Sequence, residues 1–144
     1  MSTGLSKAEY ELLASFRYAL RQFLRFSEES ARAVDLKPQQ HQALLAVKGF
    51  PGRDRVTISE LAERLQIRHH SAVGLVDRLV AHGLLVRESA AGDRRQVYVS
   101  LTHQGDVVLE QLTTAHKAEL RRLWPDINAV LERLSAVSDT TTTT

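Results

Sequence analysis

The chain contains no cysteine, so disulfide bonds, thiolate metal ligands and thiol-based peroxide sensing are excluded. It also lacks an apolar run of about 20 residues, the length that a helix needs to cross a bilayer. Its first residues lack the basic and apolar segments of a secretory signal. We therefore expect a cytoplasmic protein. The net charge of +2 is mild, so total charge does not point to any class of partner.

The motifs of common enzyme classes are missing as well. The sequence has no Gly-rich phosphate loop, no nucleophile elbow and no His-Glu-x-x-His. The adjacent His69 and His70 would diverge by about 100° on a helix, and no residue four positions on completes a ligand pair with either. We expect no enzyme activity, no cofactor and no metal site. Turnover of any substrate by the purified protein would revive the enzyme hypothesis.

What the sequence does contain is the pattern of two short helices in residues 57–83. Apolar residues recur at i, i+3, i+4 and i+7 from Ile58 to Leu65, which places them on one helix face. Thr57 and Glu60 have the spacing of a capping box, in which each side chain pairs with the backbone N–H of the other residue. The first helix is therefore predicted to begin directly after Thr57.

The second helix carries an apolar stripe from Ala72 to Val80 and is followed by Gly83, which suits a left-handed helix exit. Only two or three residues around Gln66 connect the two helices, so they must cross at a steep angle. This arrangement leaves one face of the second helix free to enter a DNA major groove.

The free face of this second helix begins with potentially cationic residues. They oppose the positive end of the helix dipole, and neither an acidic residue nor an N-capping side chain compensates for them. An arriving phosphate would complete such a helix start. The alternative is that His69 and His70 are solvated surface residues without a task. The candidate DNA-contacting residues are Arg68, His69, His70, Ser71, Val73, Gly74 and Arg78.

A β-hairpin is predicted next, with strands at residues 84–88 and 96–101. The segment between them has the composition of a turn, which places Arg94 and Arg95 at the hairpin tip. A guanidinium there can reach into a minor groove or clamp a phosphate. Asp93 can orient one of these guanidiniums by a bidentate pair, or it can simply form the turn.

Amphipathic helices are predicted on both sides of this unit. One spans residues 7–34, a second begins at Pro38, and a third begins after Thr102, a suitable N-cap. Pro125 is expected to interrupt the helix that begins after Thr102, with a new helical stripe after it. The seam of the third helix consists of Leu109, Leu112, His116, Leu120 and Leu123. His116 there fits a satisfied core or pocket histidine better than a ligand-binding group.

These flanking helices present more apolar surface than one small lobe can cover, which indicates a second copy of the chain as partner. The predicted fold class is mainly α with a small β-wing: a winged helix-turn-helix flanked by N- and C-terminal dimerisation helices. We assign residues 1–50 and 102–137 to dimerisation, 51–101 to a DNA-binding lobe, and 138–144 to a disordered tail rich in threonine.

Five motifs occur in a fixed order along the chain: Ile58-Ser59-Glu60-Leu61-Ala62-Glu63-Arg64-Leu65, Leu75-Val76-Asp77-Arg78-Leu79, Gly83-Leu84-Leu85, Asp93-x-Arg95-x-x-x-Val99, and Leu101-Thr102-x-x-Gly105. In this order and spacing the chain resembles the MarR family of transcriptional regulators over nearly its whole length. The resemblance implies an obligate homodimer on a palindromic operator in double-stranded DNA. It also implies a pocket for a small-molecule effector between the dimerisation helices and the DNA-binding lobe, and repression more often than activation.

Position by position, Arg95 resembles the family's minor-groove arginine and Asp93 its support, while Ser71, Val73 and Gly74 resemble the base-facing positions. The chain departs from the family pattern where Arg68 replaces a serine and Lys37 a threonine. Short side chains at positions 73 and 74 favour contact with thymine methyl groups and reading of DNA shape over direct hydrogen bonds.

The sequence therefore predicts a sequence-specific regulator that binds double-stranded DNA. Two alternatives stay open: a sequence-nonspecific architectural DNA-binding protein, and a winged helix used as a protein–protein adaptor. The cationic start of the second helix favours nucleic acid over an adaptor role. B-form DNA is favoured over RNA because an exposed helix fits the wide major groove of DNA.

Overall fold

The computed structural model describes residues 4–90 and 93–140, with the backbone alone for residues 90, 93–95 and 137–140. Most of these residues are helical, and the chain also forms a small antiparallel sheet, which confirms the predicted fold class. Within these ranges the elements are α1 Lys7–Ala33, α2 Pro38–Lys48, β1 Arg55–Thr57, α3 Ile58–Leu65, α4 His69–Ala81, β2 Leu85–Ala90, β3 Asp93–Leu101 and α5 His103–Thr140.

The chain divides into two compact units. The first contains the described residues up to Glu29 and from Ala115 onward, and the second contains Ser30–Thr114. Helix α2 belongs to the second unit because Leu44 and Val47 are fully buried in the same core as the helix-turn-helix residues. The sequence-based division concerns which segments dimerise and which bind DNA, and it stays a prediction.

The core of the second unit is built from the apolar stripes that the sequence shows on α3 and α4, together with residues of α2, α5 and the sheet. Each fully buried aliphatic side chain contributes about 1.5–3 kcal/mol relative to an exposed one. This packing fixes the position of α3 relative to α4. The largest buried members include Leu44, Val47, Val56, Leu61, Leu75, Val76, Leu79, Leu85 and Val99.

The sheet has the strand order β1-β3-β2, and all pairs are antiparallel. Strand β1 was absent from the sequence-based prediction because its three residues hold a single apolar side chain, Val56, which is fully buried opposite Val99. The hairpin is also longer than predicted: β2 reaches Ala90 and β3 begins at Asp93. The register shifts between Ser89 and Ala90.

The exit of α4 and the start of α5 are joined by hydrogen bonds. Gly83 has φ +75°, as its position after α4 predicts, and the N–H of Leu84 donates to the Leu79 carbonyl at 2.9 Å. The Thr102 hydroxyl donates to the Gly83 carbonyl at 2.6 Å and accepts from the Gly105 N–H at 3.0 Å. Thr102 is therefore the N-cap that the sequence indicates, and it also ties α5 to the end of α4.

Two expectations for the last helix are wrong. Pro125 lies inside α5 without ending it, and the backbone of residues 138–140 continues the helix where a disordered tail was predicted. Leu123 and Val130 are buried on either side of the proline, so packing outweighs its cost of about 3 kcal/mol. Extending an existing helix is far easier than starting one, which explains the last turn. Residues 141–144 lie outside the described part of the chain.

None of the described helices combines the length and the apolarity needed to span a membrane.

Candidate nucleic-acid interface

Helix α3 begins at the capping box that the sequence predicts. The Thr57 N–H donates to the Glu60 carboxylate at 2.9 Å, and the Glu60 N–H donates to the Thr57 hydroxyl at 3.2 Å. Arg53 forms an ion pair with the same carboxylate. Desolvation by itself would raise the pKa of Glu60, but the hydrogen bonds with Thr57 and the Arg53 charge together lower it below 4.5. The first turn of α3 is thus anchored by an ionised carboxylate.

A three-residue connection links α3 to α4. Gln66 has a left-handed backbone with φ 54°, and the Ile67 N–H donates to the Ala62 carbonyl at 3.0 Å. The turn is tight because the next residue, Arg68, already caps α4. The geometry agrees with the short connection that the sequence predicts.

Helix α4 starts without a side-chain cap. Arg68 is its N-cap, with extended backbone angles, and its side chain makes no capping hydrogen bond. The first turn has no acidic residue, so uncapped backbone N–H groups and the positive end of the helix dipole are presented together. This is an anion-binding arrangement in physical terms.

Of the seven candidate residues, Arg68 is the N-cap of α4 and the other six lie outside its buried stripe. Arg68, His69, His70, Ser71 and Arg78 are exposed, while Val73 and Gly74 are partly buried. A Cβ built on Gly74 would meet only the Arg78 guanidinium, at 4.0 Å. The middle of this face therefore carries only short side chains, and the charged residues lie at its two ends.

The wing candidates can be placed only in part. The backbone of Asp93, Arg94 and Arg95 lies at the start of β3. Their side chains lie outside the described residues, so the roles predicted for them stay predictions.

A polar cleft, which sequence reasoning missed, lies between the start of α3, the start of α4 and β3. It has a volume of about 380 Å³, and Ser59, His69 and Gln96 line it beside Thr57, Ile58 and Val97. The Ser59 hydroxyl is 3.5 Å from Nδ1 of His69. A hydroxyl, an imidazole and an amide can all donate to an anion. Ser59 and Gln96 gave no separate signal because exposed polar residues are ordinary in a sequence.

Among the described residues, no group of three or more His, Cys, Asp or Glu side chains is placed to hold a metal ion. The guanidiniums of Arg68 and Arg78 and the uncapped N–H groups of α4 supply hydrogen-bond donors and positive charge. They suit an anionic surface better than a cation.

A three-stranded antiparallel sheet behind a helix-turn-helix, with an uncapped basic start to the second helix, defines a winged helix-turn-helix protein. Comparison with known proteins shows which family this chain resembles. A sequence profile of the MarR family matches residues 34–96. Over these residues the chain is similar to the MarR family of transcriptional regulators.

Individual proteins show the same similarity. The HTH-type transcriptional repressor MdtR of Bacillus subtilis is 24% identical over 117 residues, covering 81% of this chain and 76% of that protein. The crystal structure of AbsC, a MarR family regulator from Streptomyces coelicolor, has a TM-score of 0.72 at 20% identity, over 97% of this chain and 96% of that one. A mutant MarR from E. coli, complexed with operator DNA, has a TM-score of 0.64 at 23% identity, over 94% and 99%.

Proposed function

We propose that this protein is a homodimeric transcriptional repressor that binds a palindromic operator in double-stranded DNA. The observation that carries the proposal is the start of α4, where Arg68, His69 and His70 are exposed around uncapped N–H groups with no acidic residue in the turn. Phosphate is the ligand that satisfies both the N–H groups and the charge. The match of residues 34–96 to the MarR family supports the same reading.

In this proposal α4 enters the major groove. Its first turn contacts phosphates and base edges, and Val73 with Gly74 lets the helix approach closely enough for contact with thymine methyl groups. Arg94 and Arg95 hold the flanking minor groove, with Asp93 as the orienting carboxylate. Residues 51–101 thus make the DNA contacts.

The polar cleft adds two residues to the proposed interface. Ser59 and Gln96 lie beside His69 at the junction of α3, α4 and β3. A backbone phosphate in this cleft would accept hydrogen bonds from all three elements at once. Such a contact fixes the position of the lobe on DNA without reading sequence.

Dimerisation is proposed for the helical regions 1–50 and 102–137. Among the described residues, all but three of the exposed large apolar side chains belong to the first compact unit. Leu13 is 62% exposed and Trp124 57% exposed, and a patch of this kind normally lies against a partner. The exposed side chains of this unit are Leu5, Tyr10, Leu13, Phe16, Tyr18, Leu20, Leu24, Leu120, Trp124, Leu131 and Leu134.

The proposal includes a small-molecule effector, in keeping with the family resemblance. An effector that prefers a dimer with the wrong spacing between recognition helices would release DNA by shifting the population toward that form. The cytoplasm, where bacterial regulators meet DNA, is the proposed location.

Selection of bound duplexes from a random library tests the proposal. A dimeric operator reader is expected to recover a palindrome whose half-sites are about 34 Å apart, one turn of DNA. The selected duplex should then bind the protein far more tightly than scrambled DNA at the same salt concentration. Sequence-blind, salt-labile binding would contradict the proposal and favour an architectural role, and no DNA binding at all would favour an adaptor.

Operator binding is expected to tighten as the pH falls from about 8 to 6, the ordinary range of histidine titration. The reason is that protonated His69 and His70 would face phosphates, so DNA binding and proton uptake favour each other. The double variant His69→Ala with His70→Ala should flatten this pH profile in fluorescence anisotropy titrations. His82→Ala, which removes an exposed histidine at the opposite end of α4, is the matched control. A flat profile in the wild type would reject the role of the two histidines.

A further inference from the structure

Helix α4 contains a glycine that the fold itself does not require. Gly74 has a helical backbone, so no left-handed conformation calls for a glycine there. Apart from its chain neighbours and the backbone of α4, the only described atom near a Cβ built on Gly74 is Nη2 of Arg78, at 4.0 Å. Glycine inside a helix is less stable than alanine, so the missing side chain costs stability without relieving a clash. It leaves open space on the exposed face, beside the Arg78 guanidinium.

The Arg78 guanidinium reaches back along α4 toward this space. Arg78 lies in the last turn of α4, four residues after Gly74. Long side chains on a helix point toward its N-terminus, over the residue four positions earlier. Four residues of helix correspond to about 6 Å along the axis. The charge of Arg78 is therefore carried from the last turn of α4 toward the half that contacts base edges in helix-turn-helix complexes.

The described residues supply no counter-charge to Arg78. In this part of the chain, no carboxylate oxygen lies within 4.0 Å of a nitrogen of Arg78. Asp77, its neighbour in sequence, forms an ion pair with Arg87 on β2 instead. The residues three and four positions before and after Arg78 are not acidic. Since Arg78 is also exposed, its N–H groups are available to a partner that approaches α4.

We propose that Arg78 reads a guanine in each half-site of the operator, and that the missing side chain of Gly74 allows it to do so. This inference rests on the proposed function. Two N–H groups of one guanidinium match the O6 and N7 acceptors that guanine presents in the major groove. Adenine and cytosine present a donor at this edge, and thymine presents one acceptor beside a methyl group. A bidentate contact of this kind therefore selects guanine.

The size of the side chain at position 74 decides what Arg78 contacts. With glycine there, the guanidinium lies close to the helix backbone, in the middle of the face that would meet the floor of the groove. A larger side chain would fill this place and turn Arg78 outward, toward the phosphates that border the groove. Phosphate contacts position a protein on DNA, whereas base contacts select the sequence. Gly74 is therefore a positioning residue for the base contact of Arg78.

Substituted operators test the contact with guanine. In the duplex selected from the random library, each G·C pair is replaced by A·T in both half-sites at once, and affinities are measured by fluorescence anisotropy. At one such position we expect the wild type to lose affinity by about tenfold for each half-site. Arg78→Ala should bind the original and this substituted duplex equally, while it still discriminates at other positions. Its salt dependence should equal that of the wild type, because no phosphate contact is lost.

Substitutions at position 74 test the part assigned to the glycine. Gly74→Leu introduces a good helix former that fills the space, so it should lose the same guanine preference as Arg78→Ala. Gly74→Ala should keep the preference, because a Cβ at 4.0 Å from Nη2 makes an ordinary van der Waals contact. Arg55→Ala, which removes an arginine from β1, is the control for charge and should discriminate like the wild type at every position.

Equal weakening of Arg78→Ala on all duplexes, with a lower salt dependence, would assign Arg78 to a phosphate and overturn the proposal. Unchanged guanine discrimination in Arg78→Ala would overturn it as well. Retention of this discrimination by Gly74→Leu would overturn the part assigned to Gly74. A wild type that selects no common sequence would refute the proposed function together with the guanine contact. A palindrome without any guanine that depends on Arg78 would refute the guanine contact alone.

Discussion

Replacing Gly105 with alanine is expected to lower the free energy of unfolding by about 3 kcal/mol, the upper range for overpacking a core. A Cβ on Gly105 would lie 2.2 Å from the Leu84 carbonyl oxygen and 3.2 Å from its carbon. Both atoms are backbone, so no side-chain rotation can relieve the clash. Moving α5 away would lengthen the hydrogen bonds from Thr102 to the Gly83 and Leu84 carbonyls, now 2.6 Å and 3.1 Å.

Gly74→Ala is the matched control for this substitution. Gly74 also lies within a helix, but the nearest atom to an added Cβ is the flexible end of Arg78 at 4.0 Å. Alanine is a better helix former than glycine, so this variant should be more stable by about 0.5–1 kcal/mol. Urea unfolding at one protein concentration measures both changes. Equal stabilities of the two variants would contradict the close approach of α5 to the Leu84 carbonyl.

Arg95→Ala is expected to weaken operator binding by about thirtyfold or more. In the proposed complex, a minor-groove or phosphate contact of Arg95 would contribute about 1–3 kcal/mol, and the proposed homodimer would lose it twice. Removal of two phosphate contacts should also lower the slope of log affinity against log salt by about two. Anisotropy titrations with the selected operator over a range of salt concentrations measure both quantities, and sedimentation shows whether the dimer persists.

Arg55→Ala provides the control for charge. It removes one arginine from β1 of the same sheet, away from the hairpin tip. This variant is expected to reduce affinity only slightly, through the long-range field. If Arg95→Ala and Arg55→Ala bound the operator with the affinity of the wild type, the wing would have no part in recognition and α4 alone would carry it.

Local signals account for the parts of the fold that the sequence predicted well. The Thr57 capping box, the left-handed Gly83 and the Thr102 cap each depend on hydrogen bonds or backbone angles within a few residues. Apolar periodicity predicts the two helices of the helix-turn-helix, and it too depends only on residues a few positions apart. Pro125 shows the limit of this reasoning, because a local rule was outweighed by packing on both sides of the residue.

The apolar stripe of α1 shows a second limit. Periodicity indicates that Leu13, Phe16, Leu20, Phe23 and Ser27 share a face. In the protomer Leu13, Phe16 and Leu20 are exposed, while Phe23 is partly buried and Ser27 is buried. A pattern of apolar residues indicates that one helix face is stabilised by burial against another surface. It does not state whether the same chain or another copy covers it.

By itself the sequence determined the order of helices and wing, the starts of α3 and α5, the exit of α4 at Gly83 and the cationic opening of α4. All of these depend on residues close together in the chain. The tertiary structure alone decided that α2 joins the winged lobe, that Val56 adds a third strand, and that Ser59, His69 and Gln96 share a cleft. These features depend on packing between segments distant in sequence, and the side chains involved are individually ordinary, so no local pattern distinguishes them.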